Sequence, residues 1–306
     1  MNNIQYLQRK DIDEEAWNRC IDTAENGLIY AYTYYLDAMC TAWDALVLNN
    51  YEAVMPLPWR KKWGIKYVYP PAFTQQLGIF GNRITKTLHL KSLDLMQRNY
   101  VFGEYFFNFH NPPIGLQKTN YVLNLNQNYS SIRQNYKSDL LKNLKRSNRH
   151  KLRYQSSSNY QNAVTLFQLE YGSRISHVSA NDYKNLNIIL KELQKRDQLI
   201  IREVFDEKKE ILAISVCPKD NKRIYFLLSV TINNGRSKQA NHFLLDQLIK
   251  EFSGNSLLLD FEGSDIAGIA HFYKNFGAEQ QKYFFYRWNQ LPWPIKLLKE
   301  KSLDAQ

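Results

Sequence analysis

Two stretches of the chain concentrate residue types that bind anions or move protons. The first, FLLSVTINNGRSKQANHFLLDQLI, reads as a strand, a polar loop and a helix. A helix N-terminus offers unpaired backbone N–H groups and the positive end of a dipole, and together these bind phosphate. Gly235 lets such a loop turn tightly, while Arg236, Ser237 and Lys238 add donors and charge. The loop has neither the GxxxxGK[ST] of a P-loop nor the three glycines of a dinucleotide fingerprint. On pattern alone it reads as an ordinary polar connection with a glycine turn.

The second stretch is LLLDFEGSDIAGIAHFYKNFG. An apolar strand ends in Asp260 and Glu262, which are two apart and so share a face. A carboxylate at a strand end serves as a general base, or the segment caps the next helix through Ser264 or Asp265. Spacing alone favours capping. Gly277 is placed to end that helix.

Other constellations point away from metal, thiol and serine chemistry. His89, His110, His150, His177, His242 and His271 form no HExxH and do not pair with cysteine. Cys20, Cys40 and Cys217 are odd in number and form no CxxC. No GxSxG elbow is present. His242 and Asp246, four apart, are expected to make a local side-chain contact.

The elements that must position these residues follow from periodicity. In the first half we expect a strand near residues 4–9, helices from Asp11 or Asp13 to Ala24 and over Thr33–Met39, and a hairpin turning at Asn49-Asn50. Pro56 and Pro58 should end its second strand or place it at an edge. FTQQLGIFG reads as a strand, ITKTLHLKSLDLMQRN as a helix, and YVFGEYFFNFH and NYVLNLN as strands.

From Ser130 one helix is expected, with Ile132, Tyr136, Leu140 and Leu144 in a stripe. Between Lys137 and Arg153 it carries seven Lys/Arg against the single acid Asp139. Such a helix grips tRNA phosphate or an anionic lipid headgroup, or it is a solvated linker. AVTLFQLEYG reads as a strand and SANDYKNLNIILKELQKRD as a helix capped by Ser179 or Asn181. Three strands, two further helices with a strand between them, and a strand pair around KYFFYRW follow. Lys299 and Lys301 form a second basic edge or a frayed tail.

The chain has 306 residues and a net charge of +11, favouring anionic partners or simple solubility. Its 21 Tyr and 16 Phe suit half-buried strands and polar-tipped walls. The first residues lack the layout of a signal peptide, and no apolar run reaches the ~20 residues of a membrane span. The sequence reads as cytoplasmic.

With these elements in place, the chain resembles the GNAT acyltransferases. FYKNFGA is similar to the ending of the helix that carries their acid, and NNGRSKQ stands where their pyrophosphate loop belongs, keeping one glycine. Together with SDLLKNLKRSNRHKL, GRSKQANHFLLDQLI, WDALVLNNYEAVMPLPW and PPAFTQQLGIFG, the pattern resembles the FemAB/FemX-like tandem-GNAT branch, including uncharacterised Bacteroidetes-type members. The likeness covers most of the chain and is best from about Leu140 to Arg287.

The resemblance implies an α+β fold with mixed sheets: two GNAT-like domains in tandem, a degenerate one over 1–129 and one over 130–306 with the donor loop. It implies an N-acyltransferase taking an acyl group from acyl-CoA, such as acetyl-CoA, to an amine held between the halves. No metal and no DNA are implied. Leu228, Ser229, Val230, Asn234, Gly235, Arg236, Ser237 and Lys238 would hold the donor, Tyr273 would protonate the leaving thiolate and Glu262 would relay the amine's proton. Two alternatives are a FemX-like aminoacyl-tRNA-dependent transfer to a cell-envelope precursor, and a non-catalytic module that kept the fold. Little room for a tRNA-binding helical hairpin favours the simpler donor.

Overall fold

A computed structural model describes residues 3–175, 178–263, 265–293 and 296. Contacts divide the chain into two compact units, Met1–Lys118 with Lys282–Gln306, and Thr119–Gln281. These bounds differ from the expected 1–129 and 130–306, because the last strand pairs within the first unit.

The first unit begins β1 (Ile4–Gln8), α1 (Glu14–Thr23), α2 (Thr33–Met39), β2 (Trp43–Leu48), β3 (Ala53–Lys62) and β4 (Ile65–Val68). It continues with β5 (Phe80–Gly81), α3 (Lys86–Asn99) and β6 (Phe102–Phe107). The second unit takes in most of β7 (Leu116–Asn124), then α4 (Tyr129–Gln134), α5 (Ser138–Ser147), β8 (Arg153–Ser156), α6 (Tyr160–Tyr171) and α7 (Ala180–Lys195). After these come β9 (Leu199–Phe205), β10 (Ile211–Pro218), β11 (Arg223–Tyr225), β12 (Leu228–Thr231), α8 (Asn233–Ser237), α9 (Ala240–Phe252), β13 (Leu258–Asp260) and α10 (Ala267–Asn275). The last strand is β14 (Glu279–Asn289), whose residues from Lys282 belong to the first unit.

Each unit runs strand, two helices, then antiparallel strands, a helix and a parallel strand. In the first unit the sheet order is β1-β2-β3-β4-β6-β14. β3 stays in register past both prolines, from Ala53 opposite Leu48 to Pro58 opposite Trp43, and then pairs with β4 from Trp59. The Trp59 N–H bonds Ala42 O, so hydrogen bonding toward β2 falls on odd positions of β3. The nitrogens of Pro56 and Pro58 therefore face away from β2, where no ladder needs them. The strand does not end there, and the expected strand FTQQLGIFG shrinks to β5.

In the second unit β7, β13 and β11 lie side by side, and β12-β10-β9-β8 form a second sheet. One cluster joins the faces of Tyr121, Leu140, Leu144, Val204, Leu212, Leu244, Leu248, Leu259 and Phe276. The expected basic helix is interrupted between α4 and α5, yet Ile132, Tyr136, Leu140 and Leu144 are all buried as its stripe requires. AVTLFQLEYG forms α6 instead of a strand, because the Asn159 side chain caps its first turn by accepting from the Asn162 N–H. Ser179 and Asp182 close a full capping box on α7. The strand pair around KYFFYRW is the single β14, with Phe284–Asn289 antiparallel to β6. Lys299 and Lys301 lie outside the described residues.

His89 of α3 packs 4.8 Å from the Phe107 ring, and neither ring nitrogen has a hydrogen-bond partner among the described residues. Burial lowers its pKa to about 4. The unfolded imidazole takes up its proton near pH 6.5, the folded one only near 4, so stability falls as pH drops through that window. We expect thermal melts to lose on the order of 2–3 kcal/mol between pH 7 and 4 from this residue. His89→Leu should remove that part of the pH dependence.

Candidate functional site

The second unit opens a sheet at one point. β11 runs parallel to β13, Arg223 opposite Leu258 and Tyr225 opposite Asp260. At Phe226–Leu227 the strand breaks: the Phe226 N–H still reaches Asp260 O at 2.8 Å, while Leu227 N–H turns back to Tyr225 O at 2.8 Å. Beyond it, β12 joins β10, with Leu228 opposite Val216 and Thr231 opposite Ala213. What the sequence shows as one strand, RIYFLLSVTI, therefore leaves one sheet and enters another.

β12 is the end strand of its sheet. The Ile232 N–H bonds Leu212 O at 3.1 Å, which fixes the alternation. Leu228 and Val230 turn their amides toward β10, whereas Ser229 and Thr231 turn theirs outward. Of the three amides expected to face a donor, Ser229's alone is on the open side. The Ser229 hydroxyl donates to Asn241 Oδ1 at 3.0 Å, tying β12 to the first turn of α9.

Asp260 ends β13 in the interior. Arg223 reaches its Oδ2 at 2.7 Å, and Asn120 Nδ2 and the Glu262 N–H reach its Oδ1 at 2.8 and 3.0 Å. Arg223 also donates to Gln281 Oε1 at 3.0 Å. Asp260 is fully engaged and caps the chain's reversal at Glu262, where φ is +62°. This network has no local sequence signal, since its members are far apart along the chain.

Tyr273 stands on α10 with its ring 4.6 Å from Phe261, which in turn lies 6.4 Å from Phe226. The tyrosine is thus joined by two ring contacts to the residue where the strands part. Burial chiefly, then the charges of Glu262 and Asp260, hold its phenol above its ordinary pKa. The hydroxyl makes no hydrogen bond among the described residues.

The loop residues behave differently. NNGRSKQ forms the short α8. A Cβ on Gly235 would lie 2.1 Å from Leu212 O, so the glycine permits α8 to press on β10. Arg236 pairs with Glu170 at 3.0 Å, Lys238 with Asp206 at 2.8 Å, and Asn234 donates to Glu210 at 3.1 Å. Ser237 donates to Asn234 O at 2.9 Å. Lys238, with backbone N–H groups of the Asp206 turn, keeps the Asp206 carboxyl below its usual pKa. Gln239, at φ +59°, then starts α9, whose N-terminus carries no side-chain cap.

His242 meets Asn143 at 3.3 Å and Phe272 at 5.0 Å, and Asp246 accepts from Tyr129 at 2.7 Å, so the expected contact between them is replaced by contacts to α5, α10 and α4. Ser264 and His177 lie outside the described residues. No group of three His, Cys, Asp or Glu able to hold a metal occurs among the described residues. No helix there is long and apolar enough to cross a membrane.

Solved structures share this fold. FemX matches with a TM-score of 0.66 at 11% identity, over 97% of this chain and 100% of that one. The fold is GNAT-like, of the FemX type. A conserved protein of unknown function from Bacteroides thetaiotaomicron matches at 0.59 and 11% identity, over 94% and 100% of the two chains. A GCN5-related N-acetyltransferase from Sphaerobacter thermophilus matches at 0.51 and 9% identity, over 94% and 96%. No protein-family model and no curated protein sequence matches the chain.

Removing one partner of the Arg223–Asp260 pair should be costly. Arg223→Met leaves a buried carboxylate and is expected to destabilise by about 3–5 kcal/mol. Arg223→Met with Asp260→Asn should recover part of that loss. Urea unfolding of the wild type and of these two variants measures both.

Proposed function

We propose that the protein is an acyltransferase that moves an acyl group from an activated donor to an amine. The observation that carries this reading is Tyr273: a half-buried phenol joined by ring contacts through Phe261 to Phe226, where β12 leaves the β11–β13 pair. In the reaction, the amine nitrogen attacks the donor carbonyl and the bond to the leaving group breaks. Tyr273 gives its proton to the departing thiolate or alkoxide, and Glu262 takes the proton of the attacking amine. The outward Ser229 N–H of the end strand is the backbone donor available to a developing oxyanion.

Acyl-CoA, including acetyl-CoA, is the first choice of donor. Its pantetheine amides suit the open edge of β12, and its phosphates suit the uncapped start of α9. Arg236 and Lys238 would reach such phosphates only by leaving Glu170 and Asp206. That engagement supports a second reading, an aminoacyl-tRNA donor. On α5 and after it, Lys142, Lys145 and Arg149 are exposed and form no ion pair among the described residues. They suit phosphate on a large partner or an anionic lipid surface. FemX and the C-terminal domain of a putative lysylphosphatidylglycerol synthetase from Agrobacterium fabrum, which matches at 0.53 and 9% identity over 95% of each chain, widen the acceptors to test toward cell-envelope precursors and lipids.

Calorimetric titration with acetyl-CoA, longer acyl-CoAs and charged tRNA separates the donors. With the donor that binds, Tyr273→Phe should lower kcat by about 10²–10⁴-fold and leave KM nearly unchanged. A Phe variant of full activity removes Tyr273 from the mechanism. Binding of none of these donors by folded protein favours a non-catalytic module.

A further inference from the structure

The first unit contains a pocket that the transfer chemistry above does not use. It has a volume of about 350 Å³ and opens where β1 ends, β2 begins and β3 passes Trp59. Arg9, Asp37, Thr41, Trp43, Asp44 and Trp59 are among its lining residues. Most of its polar groups already have partners. Arg9 is clamped by Asp37 at 2.8 and 2.7 Å and by Glu14 at 2.6 Å, and Asp37 also accepts from Trp43 Nε1 at 2.8 Å. The Thr41 hydroxyl accepts from Arg60 Nε at 3.3 Å.

Asp44 is the exception. It is 5% exposed, on a strand buried along its length. Its Oδ2 accepts from the Tyr6 hydroxyl at 2.5 Å and the Tyr100 hydroxyl at 3.1 Å, and the two phenols lie 2.9 Å apart. Oδ1 takes no hydrogen bond among the described residues. Nearby, the buried Trp59 Nε1–H has no acceptor. Asp44 Oδ1 faces the pocket without a donor among the described residues, so it is a ready acceptor for a cation or donor that enters. The two phenols hold the group rigidly by its other oxygen. The indole walls are already cation-bearing faces: the Arg9 guanidinium lies 5.2 Å from Trp43, and Lys66 Nζ 4.0 Å from Trp59.

We propose that this pocket binds a small protonated amine, with its ammonium on Asp44 Oδ1 and its body between Trp43 and Trp59. A neighbouring hydroxyl or carbonyl of the same ligand would accept from Trp59 Nε1. The volume suits a ligand from the size of an amino alcohol to that of an amino sugar.

Intrinsic tryptophan fluorescence of the full chain reads this directly, using ethanolamine, putrescine and glucosamine, with N-acetylglucosamine as the neutral control. We expect saturable binding of at least one amine in the micromolar-to-millimolar range and none of the control. Asp44→Asn, which keeps an oxygen for Tyr6 and Tyr100, should weaken the amine by at least about tenfold with an unchanged melting temperature. Trp59→Phe keeps a wall and removes the donor, so it should weaken ethanolamine or glucosamine more than putrescine. The proposal is overturned if no amine saturates, if the acetylated sugar binds as well as the free one, or if a folded Asp44→Asn protein binds the amine unchanged. Should Asp44→Asn fail to fold, the comparison of free with acetylated amino sugar on the wild type decides.

Discussion

The second unit depends on one buried ion pair. Arg223 and Asp260 stand at opposite ends of the parallel pair β11–β13, and Asn120 of β7 completes the carboxylate's partners. By satisfying both charges inside the core, the cluster anchors three strands at the level where their neighbour must leave them. The break at Phe226–Leu227 follows directly, since the chain is held to Asp260 on one side and drawn to β10 on the other. Phe226 meets Phe261 edge-on there, and Phe261 in turn meets Tyr273. The position of Tyr273 is thus tied, through these rings, to a buried charge pair.

The helix and strand frame was largely legible in the sequence. Thr33–Met39 and Ala240–Phe252 follow from their apolar spacing, and of the two cap candidates Ser179 and Asn181 the structure uses Ser179. Misreadings came where side-chain chemistry competed with propensity. AVTLFQLEYG is rich in strand formers, but an asparagine cap and packing on β12 make it helical. Pro56 and Pro58 looked like terminators, yet two prolines two apart put both missing donors on one side of a strand that has no use for them there.

The residues of the candidate site could be nominated from the sequence, but not their partners. Tyr273 and Glu262 were nominated from the resemblance of one helix ending and from the strand before it, and their roles remain a proposal. The loop residues were visible as a charged, glycine-bearing connection, but a sequence cannot show which carboxylates those charges will meet. Glu170, Asp206 and Glu210 lie in other elements, so the engagement of Arg236, Lys238 and Asn234 emerges only from the tertiary structure. The amide alternation along β12 is equally invisible without the register against β10.

The placement of β14 carries a consequence for how the molecule is made. The Trp288 indole donates to Tyr100 O across a sequence separation of 188 residues, and β6 gains its antiparallel partner only from this strand. A ribosome therefore delivers the whole second unit before the first can close its sheet. Until then β6 presents an unpaired edge to its surroundings, and the closing step is a long-range search of the kind that slows folding. A nascent chain halted before Lys282 would be expected to hold a finished second unit beside a first one still waiting for its final strand.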